Sequence, residues 1–124
     1  MKMEAVLDDT FDLTVVRVEE GGNTGGGRYF YSFSPSIIMA TQPGYLNFRL
    51  SKDCSKGIRI FAVVDNGTSG QLEPAKIARS GKTARMFDNM TANALIDVAV
   101  VVTDDTLKEK KYIVCDPQVI NVPD

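Results

Sequence analysis

The chain has 124 residues, 14 basic and 16 acidic side chains, a formal charge of −2 and a hydrophobic fraction of 44%. A chain of this size buries roughly two-thirds of the surface its unfolded form exposes, so residues 1–124 are expected to form a single domain without metal or disulfide staples. The charge balance argues against nucleic acid and anionic membrane as partners, and the absence of histidine excludes Ser-His-Asp, Cys-His and histidine-containing zinc centres.

The first residues reach Asp8-Asp9 without the apolar stretch of roughly 7–15 residues that a secretory signal needs. The longest apolar run, Val98 to Val102, is far too short to cross a bilayer. Cytoplasmic location is therefore expected. A reducing compartment would keep Cys54 and Cys115 as thiols, while their spacing alone leaves a disulfide between them open.

Lys2 to Leu7 and Phe11 to Glu19 read as strands. In the second, Phe11, Leu13 and Val15 share one phase and Val16 and Val18 the other, which predicts a bulge near Val15–Val16. The tract Gly21-Gly22-Asn23-Thr24-Gly25-Gly26-Gly27 predicts a flexible connection. It fails the dinucleotide fingerprint, because Phe30 stands where the third glycine belongs. Arg28 to Phe33 follows as a strand with Tyr29, Tyr31 and Phe33 on one face. Exposed, that face would stack on a glycan or anchor a protein partner; turned inward, the same rings fill the core.

Ile37 to Thr41 is a further strand, and Tyr45 to Leu50 shows the cleanest alternation, with Leu46, Phe48 and Leu50 opposite Asn47 and Arg49. Ile58 to Val64 is apolar in both phases beyond Arg59, which predicts a central strand covered on both sides. Asp65 to Leu72 begins like a calcium loop, but Lys76 occupies the twelfth position, where a bidentate glutamate is needed. Asp8, Asp9 and Asp12 form another acidic group beside a strand.

Glu73 to Ile77 is the one helical piece predicted, a turn at most. Lys76, Arg79, Lys82 and Arg85 recur every three residues as a basic patch, suited to a phosphate or acidic partner or to plain solvation. Gly81-Lys82-Thr83 is not a phosphate loop, because Lys76 replaces the earlier glycine and a strand, Thr83 to Phe87, follows in place of a helix. Val98 to Val102 and Lys111 to Cys115 are strands joined through Thr103 to Glu109 as a hairpin, and Val119 to Val122 predicts a final edge strand. Pro43-Gly44, Asn66-Gly67 and Ser80-Gly81 mark turns. Many short strands with Gly/Pro punctuation predict an all-β sandwich or barrel, and no residue pattern implies a cofactor.

The last third of the chain runs from Met86-Phe87-Asp88-Asn89 through Val98-Ala99-Val100-Val101-Val102 to Tyr112-Ile113-Val114-Cys115-Asp116-Pro117. With Glu73-Pro74 earlier, it resembles the small bacterial DP-EP family, named for its two dipeptides. The resemblance implies an immunoglobulin-like antiparallel β-sandwich over nearly the whole chain, with no assigned activity. It transfers no catalytic residue. Immunoglobulin-like domains often carry a corner tyrosine at the penultimate strand, where this chain has Ala94-Leu95-Ile96.

The function expected is a non-catalytic interaction or self-assembly module. Identical chains would form a homo-oligomer by pairing sheet edges, or head to tail between Asp8–Asp12 and Arg79–Arg85. The alternatives are a carbohydrate- or small-ligand-binding module using Tyr29, Tyr31 and Phe33, and a calcium-dependent binding module. An enzyme ranks last, because no pair of carboxylate, lysine or tyrosine side chains is singled out for proton transfer.

Overall fold

The computed structural model describes residues 7–65 and 70–121. Among these residues there are ten strands and no helix: β1 (Leu7–Arg17), β2 (Tyr29–Ser34), β3 (Ile37–Ala40), β4 (Gly44–Leu50), β5 (Ile58–Asp65), β6 (Lys76–Ile77), β7 (Thr83–Asp88), β8 (Ala94–Asp104), β9 (Tyr112–Cys115) and β10 (Gln118–Asn121). No described helix is long and apolar enough to cross a membrane.

The strands form two sheets. The first has the order β2-β1-β4-β7-β6; the second has the order β3-β10-β8-β5, with β9 also pairing β8. Two pairs are parallel, β1 with β4 and β3 with β10, and the others are antiparallel.

Two-residue alternation decides which side chains go inside, because successive Cβ atoms of a strand leave opposite faces. Phe11, Leu13 and Val15 of β1, Leu46, Phe48 and Leu50 of β4, and Met86 of β7 enter the core from the first sheet. Ile58, Ile60 and Val63 of β5, Ile96, Val98, Val100 and Val102 of β8, and Ile113 of β9 enter from the second. Phe11 stacks on Phe48 across the β1–β4 pair, ring centroids 5.5 Å apart, and meets the edge of Phe33 at 5.6 Å. Burying each such side chain is worth about 1.5–3 kcal/mol, so the shared core holds the two layers together.

Several expectations are corrected. The bulge lies between Ile60 and Ala62, not near Val15–Val16, where β1 and β2 keep an unbroken register. Phe61 is the extra residue, and inserting it resets the phase so that Val63 points inward again. Glu73 to Ile77 contains no helix; Lys76–Ile77 is the short strand β6 against β7. The closing strand is not an edge, since β10 lies between β8 and β3. β5, expected at the centre and covered on both sides, is an edge strand whose outer residues Phe61 and Val64 are open to solvent. Cys54 and Cys115 are free thiols. The strand expected over Lys2 to Leu7 and the Asn66-Gly67 turn lie, all but Leu7, outside the described residues.

Candidate functional site

Tyr29, Tyr31 and Phe33 do share one face of β2, and it is the inner one. Tyr29 is buried, while Tyr31 and Phe33 are partly buried against the core and meet each other edge to face at 5.8 Å. The face that a glycan would have stacked on is thus occupied by the protein itself. Phe30, on the opposite face, is the exposed ring of this strand.

The glycine tract is a built cover for the β2 edge, not the flexible connection its composition predicts. Thr24 exchanges backbone hydrogen bonds with Tyr29, its N–H to the Tyr29 carbonyl at 3.2 Å and its carbonyl from the Tyr29 N–H at 3.3 Å. Asn23 does the same with its side chain, Oδ1 accepting from the Tyr31 N–H at 2.8 Å and Nδ2 donating to the Tyr31 carbonyl at 3.0 Å. The Thr24 hydroxyl donates to the Val114 carbonyl at 2.7 Å and ties the loop to β9 of the other sheet. Glycine is required here: a Cβ on Gly22 would sit 2.1 Å from the Tyr29 carbonyl oxygen. Gly25, at φ 62°, lies against the Tyr29 ring. Edge pairing between copies through β2 is blocked over Tyr29 and Tyr31, because these backbone groups already have partners.

A buried carboxylate pins the same corner. Asp104, at the end of β8, accepts from the Tyr29 hydroxyl at 2.6 Å and from Arg17 Nη1 at 3.2 Å, both on Oδ2. Its Oδ1 accepts from the Thr106 N–H at 3.0 Å and from the Thr106 hydroxyl. Burial alone would raise the Asp104 pKa, but the Thr106 and Tyr29 hydrogen bonds and the Arg17 charge bring it below the ordinary carboxylate value. The Tyr29 hydroxyl is pushed up to about 12, by burial first and then by its bond to Asp104. Neither group changes protonation near neutral pH, and the arrangement works as a clamp between β1, β2 and β8.

The two outer faces differ in kind. On the second sheet, β5 presents Phe61 and Val64, β8 presents Leu95 and Val101, β9 presents Tyr112 and Val114, and β3 presents Ile37 and Met39. Phe61 and Tyr112, 52% and 54% exposed, meet edge to face at 4.9 Å; Leu95 and Met39 are each 62% exposed. Charge enters this face in two places, within its apolar row between Leu95 and Val101 and at the end beside Phe61. Asp97 shares the β8 face with Leu95, whereas Arg59 and Lys110 border Phe61, with Arg59 3.6 Å from Asp105.

On the first sheet the outer face mixes charged and polar side chains with the exposed Phe30 and Ile77, and it holds a groove of about 530 Å³. The expected basic patch divides here. Lys76 and Arg85 are register partners on β6 and β7 and line the groove, where Arg49 of β4 joins them. Arg79 and Lys82 belong to the turn that meets β5: the Arg79 carbonyl accepts from Arg59, and Lys82 Nζ reaches the Ile58 carbonyl at 3.4 Å. Arg49 escapes a search for clustered charge because it is nearly 30 residues away in sequence; only the β4–β7 register brings it to the patch.

Of the acidic group, Asp12 is held by Arg49 Nε at 2.7 Å. The Asp8 side chain and residues 66–69 of the calcium-like segment lie outside the described part. Among the described residues no group of three or more acidic or thiol side chains is placed to hold a metal ion. Cys115 is buried and its thiol is pushed up to about 12, by burial and then by the Asp116 and Cys54 charges, which leaves it unreactive.

No protein-family model and no curated protein sequence matches the chain. Among solved structures it is similar to an inclusion body protein, PixA, from Burkholderia cenocepacia J2315. The TM-score is 0.48 with 9% sequence identity, over 98% of this chain and 99% of that one. At that distance no residue role passes from one to the other.

Proposed function

We propose that this chain is a non-catalytic self-assembly module whose partner is a second copy of itself, bound face to face through the outer surface of the second sheet. The observation that carries this reading is the row of exposed apolar side chains led by Phe61, Tyr112, Leu95 and Met39. Together with Ile37, Val64 and Val114 they present on the order of 600 Å² of apolar side chain, at the upper limit for patches on monomers. One partner of a standard interface contributes about 800 Å², which the surrounding polar rim would complete.

Charge chooses the orientation. Asp97 and the exposed Asp116 lie in the half of the face nearer Leu95 and Met39, and Lys110 lies at the Phe61 end, where Arg59 is already paired with Asp105. A two-fold axis running across the strands brings the acidic half of each copy over the basic end of its partner. An axis along the strands would oppose like charges, which costs affinity. Face pairing is favoured over edge pairing because the glycine loop already occupies the β2 edge and Ile60 of β5 donates to the Gly81 carbonyl at 2.8 Å.

The finer fold reading belongs to the same proposal. The orders β4-β7-β6 and β5-β8-β9 follow the B-E-D and C-F-G orders of an immunoglobulin-like sandwich, which supports that class and the DP-EP resemblance. The parallel β1–β4 pair and the added β2 are departures from it. Cytoplasmic residence is likewise proposed, supported by the two free thiols.

Sedimentation equilibrium over a range of concentrations tests the assembly. The expected result is a dimer that Phe61→Asp converts to a folded monomer and that Asp97→Lys weakens, with Lys110→Asp added to the Asp97→Lys chain restoring it. A wild-type chain that stays monomeric at millimolar concentration, or a dimer indifferent to Phe61→Asp, overturns the reading.

A further inference from the structure

We infer that the groove on the outer face of the first sheet is a binding site for a small organic phosphate, a phosphate monoester with a compact polar body. Strand register builds it. Thr10 lies opposite Asn47, Asn47 opposite Arg85, and Arg85 opposite Lys76, so one row across four strands collects a hydroxyl, an amide and two cations. The next row sets Arg49 beside Thr83. All six side chains line the same groove.

Two of the three cations are held in place before any ligand arrives. The Arg85 guanidinium lies over the Tyr45 ring, 4.3 Å from its centroid, and Tyr45 is itself fixed edge to face on Phe87 at 5.1 Å. Arg49 is oriented by Asp12 through Nε alone, and its terminal nitrogens make no hydrogen bond among the described residues. Lys76 and Arg85 make no ion pair among the described residues, although Glu73 borders them in an adjoining recess. Preorganised guanidinium forks suit the oxygens of a phosphate, and a stacked arginine loses less freedom on binding than a mobile one. Asn47, which lines the groove, uses one amide proton on the Asp9 carbonyl at 3.3 Å.

Volume argues for an ester over the free ion. A space of about 530 Å³ falls within the range of small-molecule sites and far exceeds an inorganic phosphate. Beside the cations, Ile77 and Ala78 supply aliphatic wall for the organic part, and Thr10 and Thr83 supply hydroxyls. The groove is on the sheet opposite the proposed dimer face, so it stays open in the assembly and does not depend on it.

Backbone amide shifts followed by NMR during titration test the inference, with glycerol 3-phosphate, inorganic phosphate and glycerol as probes. Glycerol 3-phosphate is expected to saturate, with shifts on β4, β6 and β7, and to bind more tightly than inorganic phosphate, while glycerol leaves the spectrum unchanged. Arg85→Gln should weaken binding about tenfold, and Arg85→Lys, which keeps the charge without the fork, by less. Lys108→Gln, in the exposed β8–β9 turn, should have no effect. Absence of saturable shifts, equal affinity for inorganic phosphate, or equal sensitivity to Lys108→Gln and Arg85→Gln would overturn it.

Discussion

The outer faces of the two sheets rest on the same pleated backbone and differ in their balance of charged and apolar side chains. The first sheet places Thr10, Arg49, Thr83 and Arg85 in solvent with Phe30 and Ile77 as its exposed large apolar side chains, whereas the second places Phe61, Val64, Tyr112, Val114, Leu95, Ile37 and Met39 there. Inner faces are constrained by packing and converge on the same aliphatic and aromatic residues. Outer faces are free of that constraint, so their composition reports what they meet. A polar outer face needs only water, but an apolar one of this extent keeps a cost in water that a partner would remove.

The comparison is most sharply tested by one substitution made on each side of the core. Phe48→Ala, which removes a buried ring stacked on Phe11, should lower unfolding free energy by about 3–5 kcal/mol in urea denaturation. Phe61→Ala should cost less than about 1 kcal/mol at concentrations where the chain is monomeric. Equal losses would mean that the outer ring is as constrained as the inner one.

Tyr29→Phe comes next, with an expected loss of about 1–3 kcal/mol, because a charged acceptor in the interior loses a donor. The alkaline limb of stability follows from the same corner. Tyr29 and Cys115 both hold their protons more tightly in the fold, each up to about 12, than in the unfolded chain. Stability should therefore be level below pH 9, the ordinary value of the thiol, and fall as pH rises toward about 12. Cys115→Ala and Tyr29→Phe should each flatten that fall. Asp104 acts in the other direction: its lowered pKa gives stability that is present above the ordinary carboxylate range and lost as pH falls through the folded value. Thermal melts across pH read both limbs.

The smallest effect belongs to the more polar face. Arg49→Gln breaks the exposed pair with Asp12 and should change stability by about 0–1 kcal/mol, with high salt removing most of the difference. A larger loss would make this face part of the structural frame rather than a free surface.

Alternation in Tyr45 to Leu50 was enough to place Leu46, Phe48 and Leu50 inside, because a two-residue period with one apolar phase has a single burial solution. Ile58 to Val64 was misleading for the same reason. With both phases apolar, the pattern is satisfied by a covered strand or by an edge strand with an exposed apolar face, and the Phe61 bulge shifts the phase midway. The aromatic row of β2 was legible as a row but not as to side, since the side depends on which neighbour the strand pairs with. The groove was half legible. Lys76 and Arg85 are near in sequence, while Arg49 and Thr10 arrive through strand order.

Residue order alone determined that this chain forms short strands, which phase of most of them is apolar, and that histidine chemistry is excluded. These follow from period-two geometry and from composition, and both are local. Tertiary structure alone decided that the glycine tract closes an edge, that Tyr29 meets Asp104, and that cations from three strands line one groove. Those facts depend on strand order and register, which are set by the collective packing of distant segments against one another.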